Sequence, residues 1–154
     1  ILRELRPGTR VVSHSFDMDE WEPEKHTYVA AGLYPHSVYL WIVPANISGV
    51  WEWKMHLNQK KIDCRLEIEQ HFQKYFGQLI LGEEKITLPE NKINGDLIDF
   101  VVNPPSLKDT TLHITGQAIK DIIKGEIQIV SGHKNSKESW EARRRPGTAR
   151  EIDS

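Results

Sequence analysis

A single cysteine, Cys64, is the whole thiol complement of this 154-residue chain. It excludes an internal disulfide and a cysteine-rich zinc site. No apolar run approaches the roughly 20 residues that span a bilayer. Arg3, Glu4 and Arg6 interrupt the apolar N-terminus, so it does not read as a signal peptide. Neither sign of charge is in excess: 20 Lys and Arg against 22 Asp and Glu give a formal net charge of -2. That argues against a nucleic-acid or anionic-membrane binder, because both need a concentrated positive field. The expectation is a cytoplasmic protein with neither a nucleic-acid nor a membrane partner. An initiating methionine is also missing: the chain starts at Ile1 and reads as cut from something longer, or processed. What is present is ordinary for a globule, 38% hydrophobic and 27% charged residues, enough for one domain or one plus a fragment with a real core.

The pattern changes near residue 48. Before it, Ile1 to Arg6 has the apolar spacing of a last helical turn, which Pro7-Gly8 would stop. Thr9 to His14 is a β-branched run that reads as a buried strand, and Asp17 to Glu24 as a polar connection. Ser37 to Val43 reads as a strand buried on both faces, as inside an α/β sheet. From Gly49 onward apolar residues alternate with polar ones. Trp51 and Trp53, then Leu66, Ile68 and Phe72, then Ile98, Phe100 and Val102 keep the beat, which runs on to Trp140. A period of two means antiparallel strands with one wet face. Turn signals at Asn58, Gly82-Glu83, Pro89-Glu90-Asn91, Pro104-Pro105, Lys120-Asp121 and Gly132 separate the runs. Gly77, Gly95, Gly116 and Gly125 share a faint Gly-polar-apolar repeat, and glycine inside strands marks bulges and bends that let a sheet curl. The expected fold is mainly β: a short α/β remnant over 1–48, an antiparallel meander β-barrel or barrel-like sandwich over 49–143, and a loosely ordered polar tail over 144–154.

Leu5-Arg6-Pro7-Gly8-Thr9-Arg10-Val11-Val12 resembles the helix-to-fifth-strand passage of class I S-adenosylmethionine-dependent methyltransferases. Ser13 to Trp21 followed by Val38 to Ala45 is similar to one bacterial subgroup of that family, itself like the small lysine-directed methyltransferases. The resemblance covers about the first 48 residues. It implies that Thr9–His14 and Ser37–Val43 are late strands of a Rossmann-like sheet. It further implies that the intact protein uses S-adenosylmethionine on an unknown methyl acceptor, a protein or a small molecule. The family's glycine-rich loop and its ribose-binding acid have no counterpart here, so this chain alone is expected to hold no cofactor and to be inactive. The β domain would then recognise substrate or partner.

Several residues could carry chemistry. His14, Asp17 and Asp19 stand at the end of the first strand, where ligands gather in open α/β sheets, and a loop His near carboxylates suits a general base. Plain solvation of a strand end explains the same residues. Asn103-Pro104-Pro105-Ser106 resembles the Asn-Pro-Pro-aromatic motif of methyltransferases acting on amino nitrogens, with Ser106 in place of the aromatic. Read from its residues alone it is a turn between strands. Seven scattered histidines show no metal-ligand spacing, although His71 and His113 could meet on one barrel face. No metal is expected. Gly49-Val50-Trp51, with Trp140 to Arg143 at the other end, is similar to lipocalin-type barrels, which open Gly-x-Trp and stack an Arg on a Trp at the plugged end. Trp51, Trp53, Trp140 and Arg143 are thus candidates for such a plug or for a ligand wall. The alternatives to the methyltransferase reading are a lipocalin-like small-ligand binder and a structural or homo-oligomerising domain.

Overall fold

The computed structural model describes residues 4–31, 34–57 and 59–153. Among them are eleven strands and no helix. Three form an antiparallel sheet in the order β1-β3-β2: β1 (Arg10–His14), β2 (Lys25–Ala31) and β3 (Tyr34–Ile42). The other eight are β4 (Gly49–Leu57), β5 (Lys60–His71), β6 (Lys74–Leu81), β7 (Glu84–Lys92), β8 (Leu97–Val102), β9 (Thr110–Ile119), β10 (Ile122–Ser131) and β11 (Lys134–Arg144). They pair antiparallel in the order β7-β6-β5-β4-β11-β10-β9-β8. The meander thus bends round until its first and last strands meet, and the barrel stays unpaired only between β7 and β8.

The period of two is what builds this ring. Trp51, Trp53 and Met55 of β4, Leu66 and Ile68 of β5, Leu112 and Ile114 of β9, and Trp140 and Ala142 of β11 all point inward and are buried. With Cys64, Tyr75, Leu79, Leu88, Ile98, Phe100, Ile123 and Ile127 they form one continuous core. An eight-stranded barrel is just wide enough for side chains to fill, and large residues fill this one. Closure is brief: Arg143 pairs with Glu52 and Arg144 with Trp51. Further along, the Glu138 carboxylate takes the place of a strand partner, accepting the His56 backbone N–H at 3.0 Å.

Several expectations need correcting. The helical turn proposed for Ile1 to Arg6 is absent from its described part: Glu4 and Leu5 form a turn and bend, while residues 1–3 lie outside the described residues. The Gly8 N–H bonds to Val43 O at 2.8 Å, so the chain already follows the sheet there. β1 is not buried. It lies at the sheet edge with β3 alone beside it, and Val12 is 65% exposed. β3 is half-buried along most of its length, and only towards its end does Trp41, followed by Val43, become fully buried. β2 had no apolar alternation to announce it.

In the barrel, Pro89-Glu90-Asn91 is no turn; it lies within β7, where the register against β6 shifts between Tyr75 and Gly77. Proline survives there because β7 is an edge and has no neighbour to receive its missing N–H. Phe72 does not continue the alternation of β5 but takes φ 53° in the β5–β6 turn. The tail is ordered rather than loose. Ile152 is buried, its carbonyl accepts the Phe72 N–H at 2.7 Å, and the Arg150 N–H bonds Ser48 Oγ at 2.8 Å.

The small sheet is locked to the barrel by two buried glutamines. Gln70 Oε1 accepts the Ile47 N–H at 2.7 Å, and its Nε2 donates to Ala45 O and Phe72 O at 2.9 and 2.7 Å. Gln73 Nε2 donates to Glu22 O at 2.8 Å. Substituting Gln70→Leu leaves three buried backbone groups without partners and is expected to cost about 2–3 kcal/mol, read as a lowered urea midpoint with an unchanged slope.

Candidate functional site

Where the two sheets meet, the polar connection after β1 folds inward. Trp21 is buried, stacks on Phe72 with ring centroids 6.1 Å apart, and sits beside Trp41, whose indole N–H donates to Trp21 O at 2.8 Å. Lys74 pairs with Glu22 at 2.9 Å across the junction, and its hydrogen bond and charge hold the Glu22 carboxyl below its ordinary range. Trp21 is thus a wedge, which the sequence hid inside an acidic run.

His14, Asp17 and Asp19 do not converge. All three are exposed; His14 packs its ring 4.6 Å from that of His36, and Asp17 Oδ1 accepts the Asp19 N–H at 3.4 Å. The geometry shows a solvated loop, with Asp19 at φ 52°. Asn103 accepts a hydrogen bond from Thr111 Oγ1 at 2.8 Å, and the Ser106 N–H donates to Glu84 at 3.0 Å. This proline turn ties the β8–β9 connection to the start of β7.

The aromatic plug exists, with a different arginine. Arg144 lies over the Trp51 ring at 4.7 Å. Its Nη1 donates to Asn46 O and Ser48 O at 3.0 and 2.9 Å, its Nη2 to Lys120 O at 3.0 Å and its Nε to Asp121 at 2.9 Å. Arg143 points outward with its side chain 74% exposed. Strand parity could have told them apart, since Trp140, Ala142 and Arg144 share the inner face and Arg143 does not. Trp53 and Trp140 pack against each other at 4.9 Å inside the barrel.

His71 and His113 do not meet: β5 and β9 are separated by β4, β11 and β10. His113 instead contacts Asp99 at 2.6 Å on the outer wall. Among the described residues no group of three or more His, Cys, Asp or Glu could hold a metal ion.

Cys64 and Tyr75 lie inside the barrel. Burial, with Asp63 and Glu138 adding to it, pushes the Cys64 thiol up to about 12, and burial does the same to the Tyr75 phenol. Both stay protonated in the fold. Their contribution to stability is therefore complete below the ordinary values of 9.0 and 10.0 and is lost as pH rises from there towards 12. At pH 8.5 iodoacetamide is expected to leave folded Cys64 intact and to alkylate it in urea, read by mass spectrometry; rapid labelling of the folded chain would refute this.

Among the hollows on the surface, two share His71. The larger, of about 730 Å³, lies between β5, β6 and the returning tail; the smaller, of about 190 Å³, lies at the junction of sheet and barrel. No helix among the described residues is long and apolar enough to cross a membrane.

The class defined so far is a nearly closed antiparallel β-barrel joined to a three-stranded sheet. The comparisons with known proteins add a methyltransferase link. A protein-lysine N-methyltransferase of Saccharolobus islandicus (strain REY15A) is 46% identical to this chain over 41 residues, 27% of this chain and 26% of that protein. The similarity therefore spans about a quarter of the relative's length. That relative is archaeal, where the sequence resemblance pointed to a bacterial subgroup. No family model matches the chain, and no solved structure matches it significantly.

Proposed function

We propose that this chain is the C-terminal portion of an S-adenosylmethionine-dependent methyltransferase, with the barrel recognising its substrate or a partner. The observation that carries the reading is the 46% identity over 41 residues to a protein-lysine N-methyltransferase. The small sheet supports it physically. Val12, Phe16, Tyr28 and Val29 are exposed, and β1 offers an unpaired edge. A three-stranded sheet with apolar side chains in water calls for a covering layer.

The residues described do not fit the cofactor itself. A dinucleotide-type site needs a strand, a glycine turn and a helix N-terminus, and no helix is present among the described residues. No step of methyl transfer is therefore assigned to these side chains. The lipocalin-like alternative draws support from the Trp51–Arg144 stack, but a barrel filled by Trp51, Trp53, Tyr75 and Trp140 favours a packed core over a ligand cavity.

The deciding experiment reads the DNA upstream of the Ile1 codon for about 150 codons. An in-frame glycine-rich turn after a strand, with an acid about 20 residues on, supports the proposal. Methylation by the longer protein should then be assayed on lysine-bearing polypeptides. A stop codon directly before Ile1 would overturn it.

A further inference from the structure

The two hollows that share His71 carry a net negative charge. Together they are lined by Glu67, Glu69, Glu151, Glu20 and Glu22, against Arg150 and Lys74. Both cations are already engaged. Arg150 Nη1 donates to Gly147 O and Ala149 O, and Lys74 pairs with Glu22 and Glu90. Glu69 makes no ion pair or hydrogen bond among the described residues.

The spacing turns this charge into a pattern. Glu67 and Glu69 stand on the same outer face of β5, two residues and about 6.6–6.8 Å apart. An extended peptide presents its alternate side chains at the same repeat. Phe76 of β6 is the direct cross-strand partner of Glu69 and is 37% exposed. A carboxylate beside an accessible aromatic ring holds an ammonium group by charge and by cation–π attraction together. Arg65 already sits 3.2 Å from Glu67, so that position receives its second cation from the other side.

We propose that this groove binds an extended basic peptide segment. One lysine ammonium would sit between Glu69 and Phe76, and the lysine two residues along the peptide would lie against Glu67. The inference goes beyond the methyltransferase reading and needs neither a cofactor nor further chain, so the two stand or fall separately.

The test is fluorescence anisotropy of the 154-residue protein with a labelled nonapeptide alternating Lys and Ser, beside one alternating Glu and Ser. The lysine peptide is expected to bind saturably and the glutamate peptide not at all. Glu69→Lys should weaken binding about tenfold and Phe76→Ala about threefold, with the affinity falling as salt rises. Glu126→Lys on the outer face of β10 changes the net charge equally but lies outside the groove, and should leave binding unchanged. Equal weakening by Glu126→Lys, or no binding at about 1 mM peptide, would overturn the proposal.

Discussion

Replacing Arg144 with leucine is expected to cost about 2–3 kcal/mol and to lower the melting temperature by roughly 5–10 °C. The side chain is only 8% exposed, and its four hydrogen bonds reach two separate pieces of chain: the link at Asn46 and Ser48, and the β9–β10 turn at Lys120 and Asp121. Leucine would keep some packing on Trp51 but orphan three carbonyls, of which Ser48 O is partly buried and Asn46 O and Lys120 O lie near solvent. Arg144→Lys should recover part of the loss, because an ammonium can sit over the indole yet cannot fork to carbonyls on two sides. Thermal melts followed by far-UV circular dichroism would settle the matter. An Arg144→Leu protein melting within about 2 °C of the parent would mean that the stack and its bonds carry no stability.

A second substitution should be comparably severe for a different reason. In Gly125→Ala the new Cβ would stand 1.9 Å from Thr115 O and 2.5 Å from the Cα of Gly116. These are rigid backbone atoms of the neighbouring strand, so β9 and β10 would have to part. The expected cost is at least about 3 kcal/mol. Trp140 would register the change, since its indole N–H bonds Thr115 O at 2.9 Å and its ring lies against Gly116. Gly132→Ala is the control. Gly132 has φ 60° in the β10–β11 turn with nothing near a new Cβ, so it should lose only about 1–2 kcal/mol of conformational preference. Urea midpoints compare the two; equal losses would show that crowding at Gly125 is relieved without cost.

The barrel was legible because burial has a period of two in a sheet with one wet face, and Trp51, Trp53, Leu66, Ile68, Ile98 and Phe100 obey it. Gln70 obeys it too, standing inward after Leu66 and Ile68, but a lone glutamine between Glu69 and His71 gives no apolar signal. β2 was hidden for the reverse reason: its described side chains from Lys25 to Val29 are all exposed, so no core imposes a pattern on them. The site fared less well than the fold. Trp21 looked like part of a solvated loop because its partners, Phe72 and Trp41, are distant in sequence. The cross-strand pair Glu69 and Phe76 appears only once the β5–β6 register is known.

The ring also says something about the order of events as the chain folds. Nearly every strand pair in it is a hairpin between consecutive segments, which can zip from a local turn. Joining β4 to β11 instead brings together residues roughly ninety positions apart, a closure that follows once the hairpins on either side have formed. Arg144 and Trp51 meet only at that joint, so their stack belongs after the main kinetic barrier. Loss of Arg144 should then hasten unfolding and leave the refolding rate nearly unchanged. The clasp would set how long the barrel lasts, and hardly at all how fast it forms.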